Sequence, residues 1–228
     1  MAITAGTWVA YSGADAGALS VTSSSFDSTG IELLIAAATW EDTSNTTLTF
    51  SDNKGNTWQT AVVSNGSGAK CGICWSVPTS VGTGHTITCT YPNSSPFRRI
   101  GVLPVNGSFN SADALSATSQ TGSGSSNAPD AGSLVTSKTS ISFFAAADYG
   151  GQTFTAGTGW TKLGTAVGRH AQYRIDAAGT YNPAGTLNAV NDWSAAALAL
   201  GETAAGGDPY NPVPTIYRYM RLTMRLLG

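Results

Sequence analysis

The sequence predicts an all-β protein: a β-sandwich of jelly-roll or Ig-like type, with an internal pseudo-repeat and a C-terminal arm. Three observations carry this. About eleven short apolar or alternating runs follow one another between residues 7 and 200, each closed by Gly, Pro, Asn, Asp or Ser. No stretch in that span has the 3.6-residue apolar period of a long amphipathic helix. Only 11% of the 228 residues are charged, against roughly 25% in an ordinary soluble domain, while glycine reaches 27. A chain of this length buries a core without metal or disulfide staples.

The runs are taken in chain order. Strands are expected at residues 7–11, 31–40, 46–50, 57–63, 71–77, 85–91 and 98–105, and then at 140–147, 160–165, 170–175 and 193–200, with a weak strand at 186–190. The second group repeats the first. Residues 31–40, IELLIAAATW, parallel 140–149, SISFFAAADY, and each is followed by a Thr-rich strand, a tryptophan and a further strand. The expected organisation is a sandwich domain over 1–203, with halves at about 5–107 and 134–202. Between the halves, residues 111–133 are rich in Ser, Gly, Ala and Thr, the composition of a linker or of a crossover over the sandwich end. Residues 204–214, AAGGDPYNPVP, read as a Pro/Gly linker that ends the domain.

Residues 215–228, TIYRYMRLTMRLLG, differ in kind, with three basic residues and no acid. As a helix they align Ile216, Met220, Met224 and Leu227 on one stripe with Arg218, Arg221 and Arg225 on another. A strand period fits as well, and in either form the arm is expected to dock on another protein.

Several function classes recede. The net charge of −2 gives no overall basic field to attract nucleic acid. The first thirteen residues lack the basic and apolar regions of a secretory signal, and no apolar run reaches the length of a membrane span, so neither export by that route nor a membrane role is expected. Cys71, Cys74 and Cys89 are odd in number, and with only His85 and His170 beside them no four-ligand zinc spacing is recognisable, so they are expected as buried, unpaired thiols with no metal or other cofactor. No G-x-S-x-G elbow accompanies the histidines. The adjacent acids Glu41 and Asp42 sit at a strand end, where neighbours point to opposite faces and do not share a substrate. No catalytic residue is expected.

The sharpest motif is SDNKGNTW at residues 51–58. Asn53 and Gly55 suit turn conformations, and Trp58 suits an anchor for the next strand. Asp52, Asn53 and Asn56 also offer oxygens, but Lys54 and Val63 break the EF-hand spacing. This S-D-x-x-G-N-T-W segment follows ELLIAAATW and precedes GTGHTITCT at residues 82–90, and the combination resembles the β-sandwich domains of minor tail and other virion proteins of tailed bacteriophages. The likeness spans roughly residues 5–202, and the second copy lacks the full motif. The resemblance implies a non-enzymatic structural protein of the virion, made in the host cytoplasm: a minor tail or tail-tip component first, a capsid decoration protein second. The uncharged, Thr- and Ser-rich strand faces suit repeated packing against copies of the chain or other virion proteins, so a multi-copy or homo-oligomeric assembly is expected, with the C-terminal arm as its docking element. The alternative is a glycan-binding, lectin-like module that contacts a host-surface glycan. Its contact surface is expected at Trp40, Glu41, Asp42 and Asn45, where polar residues crowd the end of an apolar strand.

Overall fold

The computed structural model describes residues 2–12, 16–41, 46–66, 68–111, 114–166 and 169–203. Among them the chain is all-β, without helix. The strands of the first half are β1 (Thr4–Ala5), β2 (Val9–Ser12), β3 (Ala18–Thr22), β4 (Leu33–Glu41), β5 (Thr49–Asp52), β6 (Val62–Asn65), β7 (Ala69–Ser76), β8 (Ile87–Ser95) and β9 (Arg99–Asn106). Those of the second half are β10 (Gln120–Ser126), β11 (Leu134–Thr136), β12 (Ser140–Asp148), β13 (Phe154–Ala156), β14 (Thr161–Ala166), β15 (Arg169–Asp176), β16 (Gly179–Tyr181), β17 (Gly185–Leu187) and β18 (Asn191–Gly201).

The strands form layers. One central sheet has the order β1–β9–β4–β7–β6, with β2 also paired to β9, and the other has the order β10–β18–β12–β15–β14. Position by position the two orders correspond. Ile35, Ile73, Leu103 and Val105 of the first sheet meet Ile141, Phe143, Leu198 and Leu200 of the second in a shared central core. Each sheet also carries an outer layer on its other face. In the first half this is the sheet β3–β8–β5, packed over Leu34, Ala36, Trp40, Cys74 and Val102. In the second half it is two ribbons, β11–β16 and β13–β17, packed over Phe144, Ala146, Ala195 and Ala197. Where β8 runs unbroken past two partners, its counterpart is split around Pro183, a residue with no N–H to give to a ladder.

Burial on both faces explains why β4, β12 and β18 read as continuous apolar runs and not as alternating ones. Every residue of β12 is buried, as is every residue of β4 up to Trp40. It also corrects the repeat alignment. The sequence match sets Ile35 against Phe144, but Ile35 faces the central core and Phe144 the outer one; Phe143 is the residue that shares the face of Ile35. A slip of one residue exchanges the faces of a strand, and runs that are apolar on both sides do not reveal it.

A second correction concerns residues 111–133. In place of a linker or a bare crossover, they contain β10, a seven-residue strand that pairs along β18 from Gln120 opposite Ala197 to Ser126 opposite Asn191, so the second half begins before residue 134. Its glycines answer to packing: a Cβ on Gly122 would stand 2.0 Å from the carbonyl oxygen of Asp130, and one on Gly124 would stand 3.1 Å from the Trp193 ring. The sequence signals also pass over the short strands β1, β3, β11, β13 and β16, and the strand expected at 57–63 starts only at Val62.

The seams between the central sheets are closed by particular side chains. On one side Ser64 Oγ of β6 donates to the carbonyl of Gly122 at 2.7 Å. Elsewhere Trp8 packs against the central core, with its ring centroid 6.0 Å from that of Phe143 and its edge over Gly101 of β9. A Cβ at residue 101 would lie 1.9 Å from the Trp8 ring. Gly101→Ala should therefore drive Trp8 outward, lowering stability by about 1–3 kcal/mol. Urea unfolding and a red shift of tryptophan emission check this.

Candidate functional site

The SDNKGNTW segment builds a dense polar cluster in the first half. Asp52 ends β5 and its carboxylate collects four N–H donors. Oδ1 accepts from the amides of Lys54 at 2.9 Å and Asn56 at 3.1 Å, while Oδ2 accepts from Asn56 Nδ2 at 3.1 Å and Trp58 Nε1 at 2.9 Å. Gly55 permits the tight return with a φ of 78°. Burial alone would raise the carboxyl pKa, but the hydrogen bonds from Asn56, Trp58 and Lys54 outweigh it and hold Asp52 below the ordinary carboxylate value. A carboxylate so engaged has little lone-pair capacity left for a cation. Among the described residues no group of three or more His, Cys, Asp or Glu is placed to hold a metal ion.

The neighbours of Asp52 fasten the loop before β8. Asn56 accepts the amides of Thr79 and Ser80, both at 2.8 Å, and donates to the Ser80 carbonyl at 2.8 Å. Asn53 donates to the Gly84 carbonyl at 2.8 Å and accepts the amide of Thr86 at 3.0 Å, while Lys54 Nζ donates to the Thr83 carbonyl at 3.0 Å. Trp58 is half-buried and stacks on Phe50 with centroids 5.9 Å apart. The motif is thus a clamp between the β5 turn and the 79–86 segment.

His85 extends the clamp inward. Its backbone exchanges two hydrogen bonds with Phe26, whose ring stacks on the imidazole at 5.1 Å and 7°. Nδ1 lies 2.7 Å from Ser28 Oγ and Nε2 lies 3.5 Å from Asp52 Oδ2. Ser28 Oγ in turn accepts the amide of Gly82 at 3.0 Å. Burial pushes the His85 pKa below its ordinary value, and Asp52 only partly opposes this. Ser, His and Asp are the residue types of a hydrolytic triad, but a nucleophile must meet a substrate. Ser28 and His85 are both 0% exposed, and the serine oxygen is held by Gly82. The arrangement positions backbone segments.

In the second half His170 Nε2 meets Asp148 Oδ1 at 2.7 Å, and the ring stacks on Phe154 at 4.8 Å. Gln172, two residues on, accepts the amide of Gly157 at 2.9 Å and donates to the Ala184 carbonyl at 2.8 Å. Arg174, two further, pairs with Asp176 and lies over the Trp160 and Tyr181 rings at 5.7 and 4.4 Å. One face of β15 thereby ties down the outer ribbons.

The structure corrects Trp40. In place of an exposed contact it is 1% exposed, in the outer core of the first half with its ring 5.4 Å from that of Tyr91. It shares the face of Leu34, Ala36 and Ala38, and that parity outweighs the polar residues that follow it in sequence. Glu41 is half-buried at the end of β4. Asp42 and Asn45 lie outside the described residues, as does the whole arm with Ile216, Arg218, Met220, Arg221, Met224, Arg225 and Leu227.

All three cysteines are buried free thiols. Cys71 faces the central core and Cys74 the outer one, so the C-G-I-C pair points to opposite sides of β7. Burial pushes Cys71 and Cys74 up to about 12 and Cys89 higher still. Comparison of the chain with family models, curated proteins and solved structures finds no match.

Two outcomes are expected. The native protein should leave its thiols unmodified by Ellman's reagent and release three equivalents once denatured. Asp52→Ala strands four N–H donors, at about 1–3 kcal/mol for each one left buried without a partner. Thermal unfolding should therefore show a loss far larger than for Asp27→Ala, whose exposed carboxylate accepts from the Thr29 amide and hydroxyl.

Proposed function

We propose that the chain is a non-enzymatic structural protein of a tailed-phage virion, a minor tail or tail-tip component in preference to a capsid decoration protein. The observation that carries this reading is the use made of the polar side chains in the motif on which the family resemblance rests. Asp52, Asn53, Lys54 and Asn56 are spent on backbone groups, on one another or, for Asp52, on Trp58, as fasteners of a layered body. Both histidines are likewise bound into the scaffold. Low charge suits such a body to repeated packing against copies and neighbours, because few ions must be desolvated. In this reading the arm at 215–228 docks on other virion proteins, and neither nucleic acid nor membrane is a partner.

A host-surface glycan is the second reading, and it moves from buried Trp40 to Tyr149. That side chain is 59% exposed and rests against Gly68, and the polar side chains of Gln152 and Asn191 flank the next residue, Gly150.

Immunogold labelling of gradient-purified particles, from cells that produce the protein, tests the proposal. Label concentrated at the tail is expected, and a chain truncated before residue 215 should fold cooperatively but stay out of particles. Antigen found only in the soluble host fraction overturns the assignment.

A further inference from the structure

The Ser28, His85 and Asp52 cluster holds more chemistry than a static clamp needs. The Ser28 hydroxyl has one proton and two acceptors in reach, His85 Nδ1 at 2.7 Å and the Gly82 carbonyl at 3.2 Å. With a neutral ring protonated on Nε2, Nδ1 takes the serine proton at the shorter distance, and Nε2–H points toward a carboxylate that four other donors already occupy. In that state Nε2 has no hydrogen-bond partner of good geometry. Protonating the ring makes Nδ1 a donor as well. Ser28 Oγ then faces two N–H groups, from His85 and Gly82, and its own proton must swing to the more distant Gly82 carbonyl.

These groups sit where two segments of the outer layer cross, held by the paired backbone bonds of Phe26 with His85 and by the Ser28 amide on the Gly82 carbonyl. The charged groups acting on the ring are Asp52, which favours its protonated form, and Lys54, which opposes it; Asp27, beside Phe26, is engaged by Thr29. A charge placed on a ring with no exposed surface, stacked on Phe26, loses its hydration.

We propose that Ser28, His85 and Asp52 form a proton-operated latch: neutral His85 holds segment 26–28 against segment 82–87, and protonation loosens this crossing while the central sheets stay folded. The sign follows from burial. A folded-state pKa below the ordinary 6.5 makes the stabilisation complete above that value, and it is lost as pH falls toward the folded value. One proton linked to opening raises the opening constant by at most about tenfold per pH unit in that window.

Hydrogen exchange read by mass spectrometry on the full chain, from about pH 7.5 to about 5 and corrected for the intrinsic pH dependence of exchange, tests the latch. Peptides covering residues 24–30 and 80–87 should open increasingly below about pH 6.5, those of β12 should not, and His85→Gln should flatten the dependence. A flat wild-type profile overturns the proposal, as does an unchanged slope in the folded variant. Should the variant not fold, NMR titration of the wild-type imidazole decides. A His85 midpoint below 6.5 with the Gly82 and Phe26 amides shifting in step supports the latch, and a midpoint at or above 6.5, or amides that do not shift, refutes it.

Discussion

The architecture depends on two antiparallel sheets whose central strands are buried on both faces. β4 and β12 lie at the middle of their sheets, and their odd-numbered residues meet in one shared core while the even-numbered ones support an outer layer. An antiparallel sheet ordinarily keeps one face for water and needs polar residues there. Here the strands give up that face, and the low charge of the sequence is the compositional consequence. Alanines at 37, 145, 147 and 196 on the central face suit a close approach of the sheets, with Ile35, Phe143 and Leu198 filling the space between them.

Thin outer layers raise a different physical problem. A two-stranded ribbon is marginal on its own, and a three-stranded sheet holds only through a hydrophobic face packed on another layer. Both halves add polar fasteners, but they do so differently. The first half uses a loop motif, in which Asp52 and Asn56 bind backbone amides from the turn and from residues 79 and 80. The second half lacks that loop and draws its ties from β15, where His170, Gln172 and Arg174 reach Asp148, Gly157, Ala184 and the Trp160 and Tyr181 rings. Corresponding sheet orders therefore coexist with unlike loops, and loss of the D-x-x-G-N-T-W signature in the second copy need not cost the layer its attachment.

This division decides what could be read from the sequence. All-β architecture and the long central strands were legible because apolar runs bounded by turn residues report burial directly. Face assignment was not, since a run apolar on both sides carries no parity; that is why Trp40 looked like a strand-end contact and why the repeat aligned one residue out of phase. β10 was hidden for the opposite reason. Its polar, glycine-containing sequence satisfies backbone pairing with β18 and close packing against Asp130 and Trp193, and neither demand leaves an apolar pattern. Within the candidate site the 51–58 turn was visible as a local motif. Ser28 was not, because it meets His85 across 57 positions and nothing local marks a serine that will be buried.

Buried polar groups in such a layered protein act by exclusion as much as by attraction. Each buried N–H or carboxylate oxygen that has a partner in one arrangement lacks it in neighbouring registers, so a shifted outer layer would leave Asp52, Asn56 or Gln172 unpaired in a low-dielectric surrounding. Apolar contacts alone would tolerate a slide of Phe50 or Phe154 along the alanine-rich sheets beneath them. The polar fasteners therefore set register where hydrophobic burial sets only association. The sequence thereby places polar side chains such as those of Asp52, Asn56 and Gln172 where the apolar layers would otherwise be free to slip.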